Sequence, residues 1–373
     1  MSQYMSIIRN AVIFFPFVAA LITIPILIFN YRKYGAIPKW NILMMYSFVF
    51  YMMCAYFFII LPLPPVSYVA HLHTPTYNLR PFTFVLEFIK HNPFSALHPG
   101  TWVAAIKAPT VLQPAFNIVL TIPFGFYLHY YFKRNLKQTI LFSLLLSLFY
   151  ELTQLSGLYG IYPRPYRLFD VDDLMLNTIG GVIGFYGASL IGRFLPNQEK
   201  IREKAHSKSQ NISVIRRATA LFIDLVIVNI VTILINFLPI NNDFGLPVAF
   251  VLVIILPELF LRQTIGLKVL NMKITDKFGN QTHWWQIILR NLFGYGIIGG
   301  SFITAMKLLE LTGTVPYSEL SKINIFLGQI SVVILLIFID LLIEFFSIKH
   351  RLFFERLSGT DTRSTYKTKD LTR

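Results

Sequence analysis

"FYELTQLSGLYGIYPRPYRLFDVDDLMLNTIGG", residues 149–181, packs one glutamate, two arginines and three aspartates between two apolar stretches. In a soluble chain this would be an ordinary surface loop. Here the surroundings change its meaning, because 55% of the 373 residues are hydrophobic and 14% are charged, against roughly 25% charged in soluble domains. A spanning helix needs about 20 mostly apolar residues, since lipid offers the backbone no hydrogen-bond partner. Nine stretches meet that demand, near 11–30, 41–61, 114–132, 138–157, 173–192, 218–240, 246–261, 287–306 and 324–347. The fold class is therefore all-α: a polytopic integral membrane protein of about nine spans, with the quoted stretch turning between the fourth and the fifth.

Orientation follows from the basic residues, which accumulate in cytoplasmic loops. With the N-terminus outside and the C-terminus inside, 25 of the 33 Lys and Arg residues fall inside and eight outside. The net charge of +15 then needs no nucleic acid as partner, because anionic inner-leaflet lipid attracts such loops. The first span has only Arg9 before it and no small-residue cleavage pattern behind it, which reads as a retained helix. Cys54 is the single cysteine, so neither an intrachain disulfide nor a thiol-rich zinc site is available.

"PNQEKIREKAHSKSQNISVIRR", 196–217, is polar, basic and without an apolar period. It marks a boundary, giving a first membrane domain over 1–195 (five spans), a basic cytoplasmic linker over 196–211 and a second membrane domain over 212–373 (four spans). The first domain carries a long outer segment, about 62–113, in which Phe82, Val85, Leu86 and Ile89 recur at helical spacing and predict a short interfacial helix. In the second, "GLKVLNMKITDKFGNQTHWW" alternates and turns at "DKFGN", predicting a small strand pair before a Trp284–Trp285 interfacial anchor.

Within the quoted stretch, Glu151 and Gln154 share a face of the fourth span, with Glu151 roughly 20 Å along it. On the fifth span, Asp173, Asn177, Gly180, Gly184, Ala188 and Gly192 follow at steps of three and four. Small residues so spaced permit close helix approach in lipid. The simplest partner is the fourth span, which would set Glu151 and Gln154 opposite Asp173 and Asn177, with Arg164 and Arg167 neutralising them from the loop. A carboxylate inside a span is costly and points to function, whereas Asp172 and Asp173 at a helix start also serve as caps.

The motifs "YNLRPF", "FNIVLTIPFGFYL", "SLFYELTQL" and "FDVDDLMLNTIGGVIG", in that order over about 40–195, resemble the VanZ-like family of bacterial membrane proteins. The resemblance implies a part in low-level resistance to teicoplanin-type glycopeptides. It carries over Asn78, Arg80, Asn117, Glu151, Gln154, Asp170, Asp173 and Asn177 as ligand-facing residues, joined by Arg164 and Arg167 from the loop.

The second half holds its own charges within apolar helices: Arg217 and Asp224 two turns apart, the i, i+4 pair Glu258 and Arg262, Asp340 and Glu344 one turn apart, and Arg290 as an available counter-ion. "RRATALFIDLVI", "RQTIGLKVLNMKITDKFGNQTHWWQIILRNL" and "RLFFERLSGTDTR", over roughly 212–363, look like the RDD family, named for one arginine and two aspartates. Its first arginine and aspartate map onto Arg216 or Arg217 and Asp224. At the late motif this chain has Glu355 where the family usually has aspartate. That resemblance suggests transport of ligands not yet identified.

The leading expectation is a non-enzymatic, multi-pass protein of the bacterial cytoplasmic membrane, whose partners are the lipid bilayer and a lipoglycopeptide or lipid-linked cell-wall precursor. Transport through the intramembrane acids comes second, although no inverted repeat links the halves. A membrane-embedded hydrolase using Glu151 and Asp173 comes third. His71, His73, His91 and His98 lack the spacing of a zinc helix, and there is no phosphate-binding loop, nucleophile elbow or Gly-rich cofactor turn, so no metal or cofactor is expected.

Overall fold

The computed structural model describes residues 2–237, 244–312, 316–347 and 351–366. The end of the expected sixth span, 238–240, and the basic residues Lys349, Lys367, Lys369 and Arg373 lie outside the described residues. The chain forms two compact units: Met1–Leu21 with Lys39–Ile201, and Ile22–Pro38 with Arg202–Arg373. The second unit thus takes the last turns of the first helix as well as the C-terminal half. The linker is not irregular, since Gln198–Ser207 is helical.

Besides the short turns Val66–Ala70 and Gly157–Gly160, the helices of the first unit are α1 (Ser2–Tyr34, whose later residues belong to the second unit), α2 (Lys39–Ile60), α3 (Thr83–His91), α4 (Trp102–Lys107), α5 (Pro109–Tyr130), α6 (Leu136–Leu155) and α7 (Val171–Ile191). The start of α6 is set by a reciprocal cap: Asn135 accepts from the Gln138 amide at 2.9 Å, and Gln138 accepts from the Asn135 amide at 3.3 Å. Pro114 and Pro123 sit inside α5, which a membrane helix tolerates when neighbours satisfy the freed carbonyls. Outside the helices, β1 (Tyr77–Asn78) and β2 (Phe169–Asp170) form a short parallel pair, joining the segment before α3 to the residues that start α7.

The second unit continues with α8 (Gln198–Ser207, which begins at the end of the first unit), α9 (Val214–Asn236), α10 (Gly245–Leu261), α11 (Ile265–Val269), α12 (Trp284–Leu311), α13 (Tyr317–Phe346) and α14 (Phe353–Ser358). Its core gathers Tyr31, Ile212, Ala220, Leu267, Leu270, Met272, Ile274 and Ile287. The strand expected at "MKITD" exists as β3 (Met272–Asp276), but its partner is not the chain after "DKFGN". That turn closes with the Asp276 amide on the Asn280 carbonyl, and the ladder is then made antiparallel with β4 (Thr360–Ser364) from the far end of the sequence.

Among the described residues eight helices are long and apolar enough to cross a membrane. The stretch expected as a seventh span is the shorter α10, at 1.5 Å per residue about 25 Å long against a hydrocarbon core of about 30 Å. It passes through a π-helical turn at Val251–Ile255. Phe17, Leu21, Leu190 and Phe194 are largely exposed on their helices, an arrangement stable in lipid and not in water. The architecture is that of an all-α polytopic membrane protein.

The glycine ladder of α7 meets a different neighbour from the one expected. A Cβ built on Gly184 would overlap the carbonyl of Ile122, one on Gly180 the carbonyl of Ile118, and one on Gly125 the carbonyl of Gly181. The close partner is therefore α5, the third span, while α6 reaches the adjacent strip of α7 through Ser143 beside Gly181. Because Gly187 faces nothing within 4 Å, the two positions make a matched test. Gly184→Ala should destabilise the protein by about 1–3 kcal/mol through overpacking, read as a lower detergent melting temperature. Gly187→Ala should be neutral or up to about 1 kcal/mol stabilising.

Candidate functional site

At the end of the first unit where α6 stops and α7 starts, four carboxylates occupy one small region, and most of their partners are amides. Asp170 caps α7, accepting from the Asp172 amide at 2.9 Å. Glu151, near the end of α6 and 3% exposed, accepts from the Asp170 amide at 3.0 Å. Asp172 reaches sideways to α3, accepting from the Phe82 and Phe84 amides at 2.6 and 2.9 Å. These are amides that the start of α3 leaves without intrahelical partners. Asp173 accepts from the Asn117 side chain of α5 at 2.5 Å.

Asn78 donates to both Asp170 oxygens at 3.2 and 3.3 Å, and its own oxygen accepts the Arg80 amide at 3.1 Å. One turn deeper, Asn177 donates to Ser147 at 2.9 Å, Ser147 to the Asp173 carbonyl at 3.2 Å, and Thr121 to the Asn177 carbonyl at 2.7 Å. Spans three, four and five are thus joined by polar contacts at one level. Asp170, outside the spans, has its carboxyl pushed up from the ordinary range by burial, against the pull of the Asp172 amide and Asn78.

Asn78, Asn117, Glu151, Asp170, Asp173 and Asn177 come together, but neither Arg164 nor Arg167 makes a direct ion pair with the acids. Arg167 donates to the Ile59 and Leu61 carbonyls at 2.8 and 3.0 Å, and Arg164 to the Thr74 carbonyl at 2.5 Å. The Arg80 side chain is exposed. Gln154, expected opposite Asp173, instead donates to the Ile59 carbonyl of α2 at 3.2 Å. Among the described residues no Lys or Arg nitrogen lies within 4.0 Å of Glu151, Asp170, Asp172 or Asp173. Arg167 fastens the loop to the end of α2 and Arg164 fastens it to Thr74, and the carboxyl groups are left with amide partners.

Sequence reasoning treated Asp172 only as a cap and overlooked Thr121 and Ser147. Ser147 stands one turn before Glu151, a spacing that could have flagged it. The histidines of the long segment have local partners: His91 bonds Glu87 at 2.8 Å, His98 bonds Ser95 at 3.0 Å and His71 the Ser67 carbonyl at 2.7 Å. Among the described residues no group of three or more His, Cys, Asp or Glu side chains is placed to hold a metal ion.

In the second unit the buried centre is Glu355. Arg217 and Arg290 both pair with it, Arg290 at 3.0 Å, and Thr362 donates to it at 2.5 Å. Arg290 also reaches Thr360 and Thr362, each at 3.2 Å, and lies over the Phe354 ring. Burial would raise the Glu355 carboxyl, but the two guanidiniums and Thr362 outweigh it and hold it at about 2.

Asp224, for which Arg217 or Arg290 was the available counter-ion, accepts instead from Thr264 at 2.6 Å and the Gly266 amide at 2.7 Å. The Glu258–Arg262 pair is also absent: α10 ends at Arg262 in a left-handed conformation, the Arg262 side chain bonds the Leu259 carbonyl, and Glu258 accepts from Asn291 at 2.8 Å. Asp340 and Glu344 share Arg356, which the sequence had not singled out. Arg216 is fully buried and donates to the carbonyls of Gly35, Ser209, Leu270 and Asn271.

Residues 48–192 match the VanZ/LLP1 family, a stretch that contains every carboxylate and amide of the first site. No curated protein matches the chain, and no solved structure does.

The Glu355 geometry makes two predictions. Changing Glu355 to Gln should cost about 3–5 kcal/mol by leaving buried guanidiniums without a counter-ion. It should also be non-additive with Arg290→Gln, whereas Asp224→Asn with Arg290→Gln should be additive; detergent melting of the single and double variants reads both. The Glu355 carboxyl is depressed in the folded state from an ordinary value of 4.5 to about 2. The stabilisation is therefore present above pH 4.5 and lost as pH falls toward 2, amounting to roughly 3 kcal/mol. Over that window the stability gap between the wild type and Glu355→Gln should close.

Proposed function

We propose that this protein lowers the susceptibility of a bacterial cell to teicoplanin-type lipoglycopeptides, acting from the cytoplasmic membrane through the carboxylate site at the α5–α6–α7 end, with that end outward. The family match over 48–192 supports a VanZ-like membrane protein, and the distribution of basic residues supports the orientation. The observation that carries the reading is the site itself. Glu151, Asp170 and Asp173 are held by amides and backbone N–H groups, with no Lys or Arg nitrogen within 4.0 Å among the described residues. Carboxyl groups so placed beside lipid suit a ligand that offers hydrogen-bond donors or positive charge together with an acyl chain. The protein's part is binding and sequestration, not bond cleavage.

A second reading belongs to the C-terminal unit, whose motifs resemble the RDD family. Asp224 and Glu258 are buried and have no Lys or Arg nitrogen within 4.0 Å among the described residues. Buried acids with hydroxyl and amide partners support transport of an unidentified ligand or ion.

Glu151→Gln keeps the shape and the contact with the Asp170 amide but removes the charge. In a sensitive host the variant should reach the membrane in normal amount yet lose teicoplanin tolerance, with vancomycin, which lacks the acyl chain, affected less. Full tolerance at equal abundance would reduce Glu151 to a structural group. The orientation is tested separately with cysteines in a Cys54→Ala background. His73→Cys should react with an impermeant thiol reagent on intact cells and Lys208→Cys only after lysis; the reverse pattern would place the site on the other face.

A further inference from the structure

Between α2 and α5 the chain builds a platform that exposes a set of large apolar side chains. Phe82, Leu86 and Ile89 on and beside α3, Leu97 in the following loop, and Trp102 and Ile106 on α4 all lie open, Ile89 at 71% and Leu97 at 88%. These residues are not a loose loop. Asn92 donates to the Ala105 carbonyl at 3.2 Å and to Thr110 at 2.8 Å, and Trp102 donates to the Ser95 carbonyl at 3.0 Å. The rings of Phe88, Phe94 and Trp102 follow one another with centroids 6.3 and 6.5 Å apart. The two helices and the loop between them are therefore one rigid piece, and its apolar side exists before any partner arrives.

We propose that this piece, residues 82–107, docks flat on the bilayer, with its apolar side buried in the acyl region of one leaflet. The occupant follows from connectivity and charge. The segment leaves α2 at Ile60 and enters α5 at Pro109, and both are membrane-spanning helices, so the leaflet at that end is always within reach. Exposed Lys90 and Lys107 flank the apolar residues, the pairing of bases with Trp, Phe and Leu that in-plane membrane helices use. An apolar surface of this extent facing water would be an association site.

Docking has a consequence for the carboxylates, because Asp172 holds the Phe82 and Phe84 amides and β1 pairs with β2. The platform and the start of α7 move as a unit, so leaflet contact fixes Asp170 and Asp173 at headgroup depth. An amphiphile then reaches them by lateral diffusion in the leaflet. The docking itself stands without the antibiotic reading.

The test uses the full chain in nanodiscs of phosphatidylethanolamine and phosphatidylglycerol. Nitroxide labels are placed at Leu97→Cys and, as an aqueous control in the same segment, at His73→Cys, both in the Cys54→Ala background. Position 97 should collide with oxygen far more than with a water-soluble nickel chelate, giving a ratio several-fold above that at position 73. Equal ratios at the two positions overturn the proposal. So does protection of position 97 from both reagents, which would mean that a second copy or another part of the chain covers it. A second readout needs no label: with Trp40, Trp284 and Trp285 changed to Phe, Trp102 emission should be quenched by lipids brominated in the acyl chain. Quenching by aqueous iodide alone overturns the proposal equally.

Discussion

Wherever a helix begins or ends at a membrane, its terminal amides and carbonyls must find partners that lipid cannot supply, and this constraint organises the first unit. The amide that starts α7 is taken by Glu151, and the amides before and within the first turn of α3 are taken by Asp172. The carbonyls that end α2 are taken by Arg167, Gln154 and Tyr166. At this site charged side chains are spent on backbone groups and Asn side chains and not on each other. The result is a segment whose acids and arginines do not pair directly, leaving a cluster of carboxyl groups at the end of three closely packed spans.

The second unit resolves its charges by the opposite means. Arg217 and Arg290 meet Glu355 in the interior, while the exposed Arg356 joins half-buried Asp340 to buried Glu344. Such pairs contribute little net stability against an apolar replacement but make loss of one member costly. They specify which helix meets which: Glu355 on α14 draws α9 and α12 to the same point, and β4, leaving α14, completes the ladder with β3. Buried Arg216 is instead satisfied by carbonyls and the Ser364 hydroxyl, and it ties the end of α1 to the start of α9.

What the sequence made legible was the part governed by local rules. Apolar length marked the spans, the spacing of Glu151, Asp173 and Asn177 marked one end of the fourth and fifth spans as polar, and the aspartates before α7 marked its start. What stayed hidden depended on choices among equivalent partners. Gly180 and Gly184 announce a close face but not whether α5 or α6 fills it. The alternation in "MKITD" fits any edge, and the one it meets lies some ninety residues further on. Carbonyls at a helix end also accept from arginine, so counting charges alone missed the oxygens that Arg164 and Arg167 bond. Arg217 and Asp224 share a face, yet two turns of helix put them about 10 Å apart, beyond a direct bond.

The claim on which the rest stands is that the third span, not only the fourth, closes on the polar start of the fifth. Cysteine pairs in a Cys54→Ala background measure it directly. Asn117→Cys with Asp173→Cys should be bridged by a short bifunctional thiol reagent, because the native side chains meet tip to tip at 2.5 Å. Gln154→Cys with Asp173→Cys should not be, because Gln154 turns to the Ile59 carbonyl. A cross-link at 154–173 and none at 117–173 would contradict the account, for then the carboxylates would lie between the fourth and fifth spans alone.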